Sequence, residues 1–191
     1  MYPNDIHNKR ILIASLNWGL GHVARCIPII NDLKSRENKI WIACSSLQKE
    51  IFSSYFNDVN YVSLSDYPFK FKGKGRFISD VLLQSLALFK NFKKEQLFVN
   101  DLLDDLPIDL IISDQRYSFR SKRCPSIFIT HQLQLPNFFL KYFFQKIHLK
   151  NLLKFEYIWV CDFENSNFAG DLSRNNNLSN CFFIGPQSRF N

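Results

Sequence analysis

The sequence predicts a doubly wound α/β domain, a mostly parallel sheet with helices on both faces. Three observations carry this expectation. Short apolar runs suited to buried strands alternate with longer segments whose apolar residues recur at helical spacing. The first of these runs passes through a glycine loop directly into a helix, a unit that directs backbone N–H groups at a bound anion. Small polar clusters follow several of the other runs, where a parallel sheet binds its ligands.

Taken in order, residues 11–14 form the first strand, and Gly19 and Gly21 make the tight loop after it. Val23, Ile27 and Ile30 then mark a helix, with His22 at its start and Arg25 one turn in. Residues 39–44 are a second strand, 47–55 a second helix and 60–64 a third strand. The loop that follows, 69–76, carries a cation at every second position and two glycines. Closure on a phosphate and plain solvation are both open to such a loop, and charge runs usually face water.

A long helix is predicted over 78–106, ended by Pro107; Asp101, Asp104 and Asp105 near its end oppose the macrodipole and read as solvated surface. Strands at 108–113 and 126–129 end in Asp114-Gln115-Arg116-Tyr117 and Thr130-His131-Gln132. If these strands are neighbours, both clusters meet above the sheet near the first glycine loop. Residues 135–155 are dense in Phe and Lys and read as an imperfectly amphipathic helix. Asn137, Lys141, Gln145 and His148 form one stripe, with Lys146, Lys150 and Lys154 opposite it. Peripheral contact with a bilayer, contact with a partner domain, and ordinary packing with snorkelling lysines remain the alternatives. Strands at 157–161 and 182–184 complete the sheet, the first ending at Asp162, with a polar segment over 164–180 between them.

At 191 residues the chain holds one domain with a full core, expected over 1–184, and the turn-forming 185–191 reads as the start of a linker. No uncharged apolar run is long enough to span a bilayer, and the polar N-terminus lacks the apolar centre of a secretory signal, so a cytoplasmic protein is expected. The five cysteines are odd in number and widely spaced, which argues for reduced thiols over a disulfide or zinc framework. A net charge of +7 favours an acidic partner. Neither a repeat nor an RNA-binding aromatic motif is present, and no nucleic-acid partner is expected.

Gly19-Leu20-Gly21-His22-Val23-Ala24 fits the dinucleotide pattern Gly-x-Gly-x-x-Ala, yet the acidic residue expected after the second strand is replaced by Cys44-Ser45-Ser46. An NADP-dependent oxidoreductase using Ser45, Ser46 and Lys49 is the third reading, and a scaffold protein that binds partners without catalysis is the second. His22, Asp114 and His131 are acceptable metal-ligand types without informative spacing, and no metal or cofactor is expected. His22 beside two glycines is the candidate general base, because imidazole can accept a hydroxyl proton near neutrality.

The runs Leu16-Asn17-Trp18-Gly19-Leu20-Gly21-His22, Ile112-Ser113-Asp114-Gln115-Arg116-Tyr117, Phe128-Ile129-Thr130-His131-Gln132-Leu133 and Ile184-Gly185-Pro186-Gln187-Ser188-Arg189-Phe190 carry a resemblance. Together they resemble the N-terminal domain of MurG-like GT-B glycosyltransferases, in one bacterial branch of uncharacterised transferases, over nearly the whole chain. The resemblance implies a Rossmann-like half that holds an acceptor, with a nucleotide sugar bound only through a second domain or subunit. It also implies that His22 acts on an acceptor hydroxyl, and that Asn17, Trp18, Gly19, Gly21, Arg25, Asp114, Arg116, His131 and Gln132 line the acceptor site.

Overall fold

The computed structural model describes residues 1–68, 77–136, 141–164, 168–175 and 178–189. The strands are β1 Arg10–Ser15, β2 Lys39–Cys44, β3 Asn60–Ser63, β4 Leu110–Asp114, β5 Ser126–Thr130, β6 Tyr157–Val160 and β7 Cys181–Phe183. They form one seven-stranded sheet in the order β3-β2-β1-β4-β5-β6-β7, and every pair is parallel. The order reverses between β1 and β4, so the crevice for a ligand opens above the carboxyl ends of those two strands.

The helices are α1 Leu20–Lys34, α2 Ser46–Ser53, α3 Phe77–Asp105 and α4 Lys141–Leu152. Strand alternation sorts them onto two faces. Ile11 and Ile13 of β1 join Val23, Cys26, Ile27 and Ile30 of α1, with Phe52 of α2 in the same cluster. Leu12 and Ala14, one residue out of step, join Val99 and Leu103 of α3. Phe128, Ile158 and Val160 pack with Leu152 and Phe155 at the end of α4. Central strands buried on both faces explain why the sequence shows continuous apolar runs there.

The predicted elements stand with shifted ends. The strand expected at 108–113 is Leu110–Asp114, so Asp114 is its last residue and lies within the sheet. Of the helix expected at 135–155, the described residues show Lys141–Leu152 as helix. The basic loop 69–76, Asn137 and Phe190 lie outside the described residues.

Of the two stripes, the one with Gln145 and His148 turns inward. The Gln145 side chain donates to the Leu133 carbonyl and accepts from the Leu135 amide, each at 2.8 Å. His148 Nε2 donates to the Gln132 carbonyl at 3.1 Å, and its Nδ1 accepts from the Tyr117 hydroxyl at 2.7 Å. Burial lowers the His148 pKa. Backbone groups after β5 are inside the protein and need partners, and these two side chains supply them. Tyr142, Phe143, Lys146, Ile147 and Lys150 consequently face outward. Among the described residues no helix is long and apolar enough to cross a membrane.

Asp162, just past β6, organises the loop behind it. Its carboxylate accepts the amides of Phe163, Phe168 and Ala169 and the Ser173 hydroxyl, at 2.8, 2.8, 3.1 and 2.5 Å. Burial pushes its pKa up, but these donors outweigh that and hold it below the usual value. A carboxylate with a depressed folded pKa stabilises the fold above its unfolded pKa, and that contribution disappears as pH falls through the folded value. Asp162→Asn is expected to lower the urea midpoint at pH 7 and to flatten its fall below about pH 4. An unchanged acid limb in the variant would rule out this source.

Candidate functional site

The site begins with the loop that joins β1 to α1. Gly19 has φ 109°, a conformation that side chains rarely adopt, and it caps α1 there. Nothing stands within 4 Å of where a Cβ would lie at Gly19 or Gly21, so both leave open space beside the backbone. The Leu16 amide donates to the Asp114 carbonyl at 3.0 Å, which ties this loop to the end of β4. Buried Gln48 bonds Ser15 Oγ at 3.0 Å and steadies it from below. Asn17 Oδ1 accepts the Tyr67 amide at 3.3 Å, and Trp18 meets the Tyr67 ring edge-on at 6.4 Å.

His22, Arg25 and Cys26 fall on one face of α1 by helical spacing, and that face looks onto β4. Asp114 shares strand parity with Ile112, on the α1 side, and is completely buried. His22 Nδ1 lies 2.9 Å from Asp114 Oδ2. A carboxylate has no proton to give, so this bond places the imidazole proton on Nδ1 and leaves the lone pair on Nε2. Arg25 Nε stands 3.1 Å from Oδ2 and 3.0 Å from Oδ1 of the same carboxylate. Burial alone would lower the Arg25 pKa, but Asp114 and neighbouring thiols raise it.

Arg25 also connects the second cluster. Its Nη1 is 2.8 Å from His131 Nδ1. Its Nη2 also approaches His22 Nδ1, but with the proton on Nδ1 both groups are donors, so the bond His22 makes is the one to Asp114. Arginine can only donate, so His131 accepts at Nδ1 and carries its proton on Nε2. Burial, then the Arg25 charge, lowers the His131 pKa and keeps the ring neutral at pH 7. The four side chains of His22, Arg25, Asp114 and His131 therefore form one bonded constellation, with the guanidinium between the carboxylate and the second imidazole.

Gln132 is half-buried at the same strand end, and its backbone amide donates to Thr130 Oγ1 at 2.9 Å. Arg116 stands apart from this constellation, packed against Glu95 and Tyr67. It is 1% exposed; its Nε donates to Glu95 Oε1 at 2.5 Å and its guanidinium lies 4.3 Å from the centre of the Tyr67 ring. Tyr67 in turn donates to Glu95 Oε2 at 2.7 Å. Gln115 explains the departure: with φ 59° it turns the chain, so Arg116 points to α3 although it shares parity with Asp114.

Two features escaped the sequence. Glu95 and Tyr67 carry no motif, and only the fold reveals the network they form with Arg116. The pairing of Asp114 with His22 was within reach, since strand alternation from Ile112 already puts Asp114 on the side of the first helix.

No family model matches the chain, and no curated protein matches it by sequence. Solved structures do match in fold. Phytolacca americana UGT2, complexed with UDP-2-fluoro-glucose and pterostilbene, aligns at 14% identity and TM-score 0.61 over 95% of this chain and 55% of that one. CalG4, the calicheamicin glycosyltransferase, aligns at 15% identity and TM-score 0.58 over 93% of this chain and 53% of that one. Acinetobacter baumannii MurG gives 9% identity and TM-score 0.52 over 94% of this chain and 46% of that one. The class is thus a Rossmann-like α/β domain. Within that class its fold is the one found in GT-B glycosyltransferases, and the chain spans about half the length of the structures it matches.

Proposed function

We propose that this chain is the acceptor-binding half of a glycosyltransferase of the MurG-like kind, with His22 as general base. The observation that carries the reading is the His22–Asp114 pair, 2.9 Å apart above the point where the strand order reverses. Nε2 of His22 takes the proton from an acceptor hydroxyl as its oxygen attacks the anomeric carbon of a nucleotide sugar. The bond from that carbon to the leaving phosphate breaks, and the nucleoside diphosphate departs. Asp114 holds the imidazole in the working tautomer and offsets the positive charge that forms on it. Neutral His131 offers its Nε2–H, and the open space beside Gly19 and Gly21 admits the acceptor.

The sugar donor binds to a second domain or subunit under this reading, since the matched glycosyltransferase structures are about twice as long. The isolated chain is expected to give no measurable transfer from a radiolabelled nucleotide sugar, and to gain activity when a complementary donor-binding half is supplied or fused. Sustained turnover by the isolated chain would overturn the division of labour.

A further inference from the structure

A second basic site lies on the other face of the sheet. A groove of about 270 Å³ runs between α3 and α4, and its lining includes Phe89, Phe92, Lys93, Arg120, Asn151 and Lys154. Arg10, Arg25, Arg36, Arg116, Arg123 and Arg174 each face a carboxylate. Arg120 differs. Its Nε is buried with no acceptor among the described residues, although its own carbonyl is held by Gln96 at 2.5 Å.

A buried donor left unsatisfied is rare enough to need a partner. The charges around Arg120 indicate which kind. Lys154 Nζ is bonded to a neutral group, Asn151 Oδ1 at 2.7 Å, and Lys93 is exposed on the opposite wall. Burial and then the charges of Arg120 and Lys150 lower the Lys154 pKa. Glu156 is the carboxylate within electrostatic reach of Arg120, and its Oε2 is occupied by the Ser126 amide at 2.7 Å. The rim is apolar: Phe89 is 61% exposed and meets Phe92 edge-on at 6.3 Å.

We propose that this groove is a phosphate site, in which Arg120, Lys93 and Lys154 bind the phosphate of an ester whose apolar portion rests on Phe89 and Phe92. Guanidinium and ammonium donors match phosphate oxygens, and charge-assisted bonds of this kind are the strong ones. A phospholipid headgroup and a free phosphate ester present the same chemistry. The site is separate from His22, which lies on the α1 face, so its occupancy is measurable whether or not the transferase reading holds.

The test is titration of the chain with glycerol 3-phosphate, followed by amide chemical shifts of Ser121, Asn151 and Lys154, alongside flotation with phosphatidylglycerol–phosphatidylcholine vesicles. Saturable shifts at these amides with the ester, or vesicle binding without them, identify the free or the lipid source. In either arm Arg120→Gln is expected to weaken binding about tenfold. Lys39→Gln, which removes an equal charge from an exposed side chain at the start of β2, is expected to leave it unchanged. The Lys93→Gln, Lys154→Gln double variant alters exposed side chains only and repeats the test should Arg120→Gln fold poorly. No binding in either arm, or equal weakening by Lys39→Gln, overturns the site.

Discussion

Under the proposed function, replacing His22 with alanine is expected to lower kcat of the complete two-part transferase by about a thousandfold, with KM for the acceptor little changed. The side chain is removed from the proton transfer and not from the contacts that hold the substrate. Asp114→Asn keeps the shape but cannot balance an imidazolium, and its amide has only one acceptor oxygen for the His22 and Arg25 donors that now share the carboxylate. Its kcat falls by about 10²- to 10⁴-fold on the same physical grounds. Because the two residues act as a unit, the double variant loses little more than either alone. Steady-state kinetics with saturating nucleotide sugar measures all three. Full kcat in His22→Ala would remove the base assignment and leave the fold description untouched.

The largest effect on stability is expected at Glu95. Arg116 and Glu95 are 1% and 2% exposed at the side chain, and Glu95 also takes the Tyr67 and Ser118 hydroxyls. Glu95→Ala leaves a buried guanidinium with no counter-charge, which costs about 3–5 kcal/mol. For a chain of this size that corresponds to a melting temperature lower by about 10 °C. The intact pair is not thereby a large source of net stability, since desolvation offsets much of its attraction. A joint replacement of Glu95 and Arg116 by apolar residues of similar volume is therefore expected to cost less than Glu95→Ala. Thermal denaturation followed by circular dichroism distinguishes the cases, and equal losses would contradict the buried-charge account.

Much of the architecture was legible from the sequence because strands buried on both faces are written as unbroken apolar runs. Residues 39–44 and 157–161 differ from the observed strands by one residue at most. The loop containing Gly19 was legible as well, since its geometry requires a residue without a Cβ. Helix α4 was harder. Its inward stripe is polar, and periodicity assigns polar residues to solvent when the backbone carbonyls they serve lie far away in sequence. The same limit applies to Arg116, which follows Asp114 at a spacing that places both on one side of a regular strand. Only the left-handed turn at Gln115 separates them, and glutamine gives no local signal of that conformation.

That single turn makes residue 115 a junction between two halves of the molecule with different duties. On one side hangs the carboxylate that bonds His22 and Arg25; on the other hangs the cation that pairs with Glu95 of α3. A shift of the hidden ion pair can thus reach Asp114 through two peptide units, with no change to any residue that lines the cleft. Under the proposed function, the geometry of the cleft therefore depends on packing on the far face of the sheet as well as on the residues that line it.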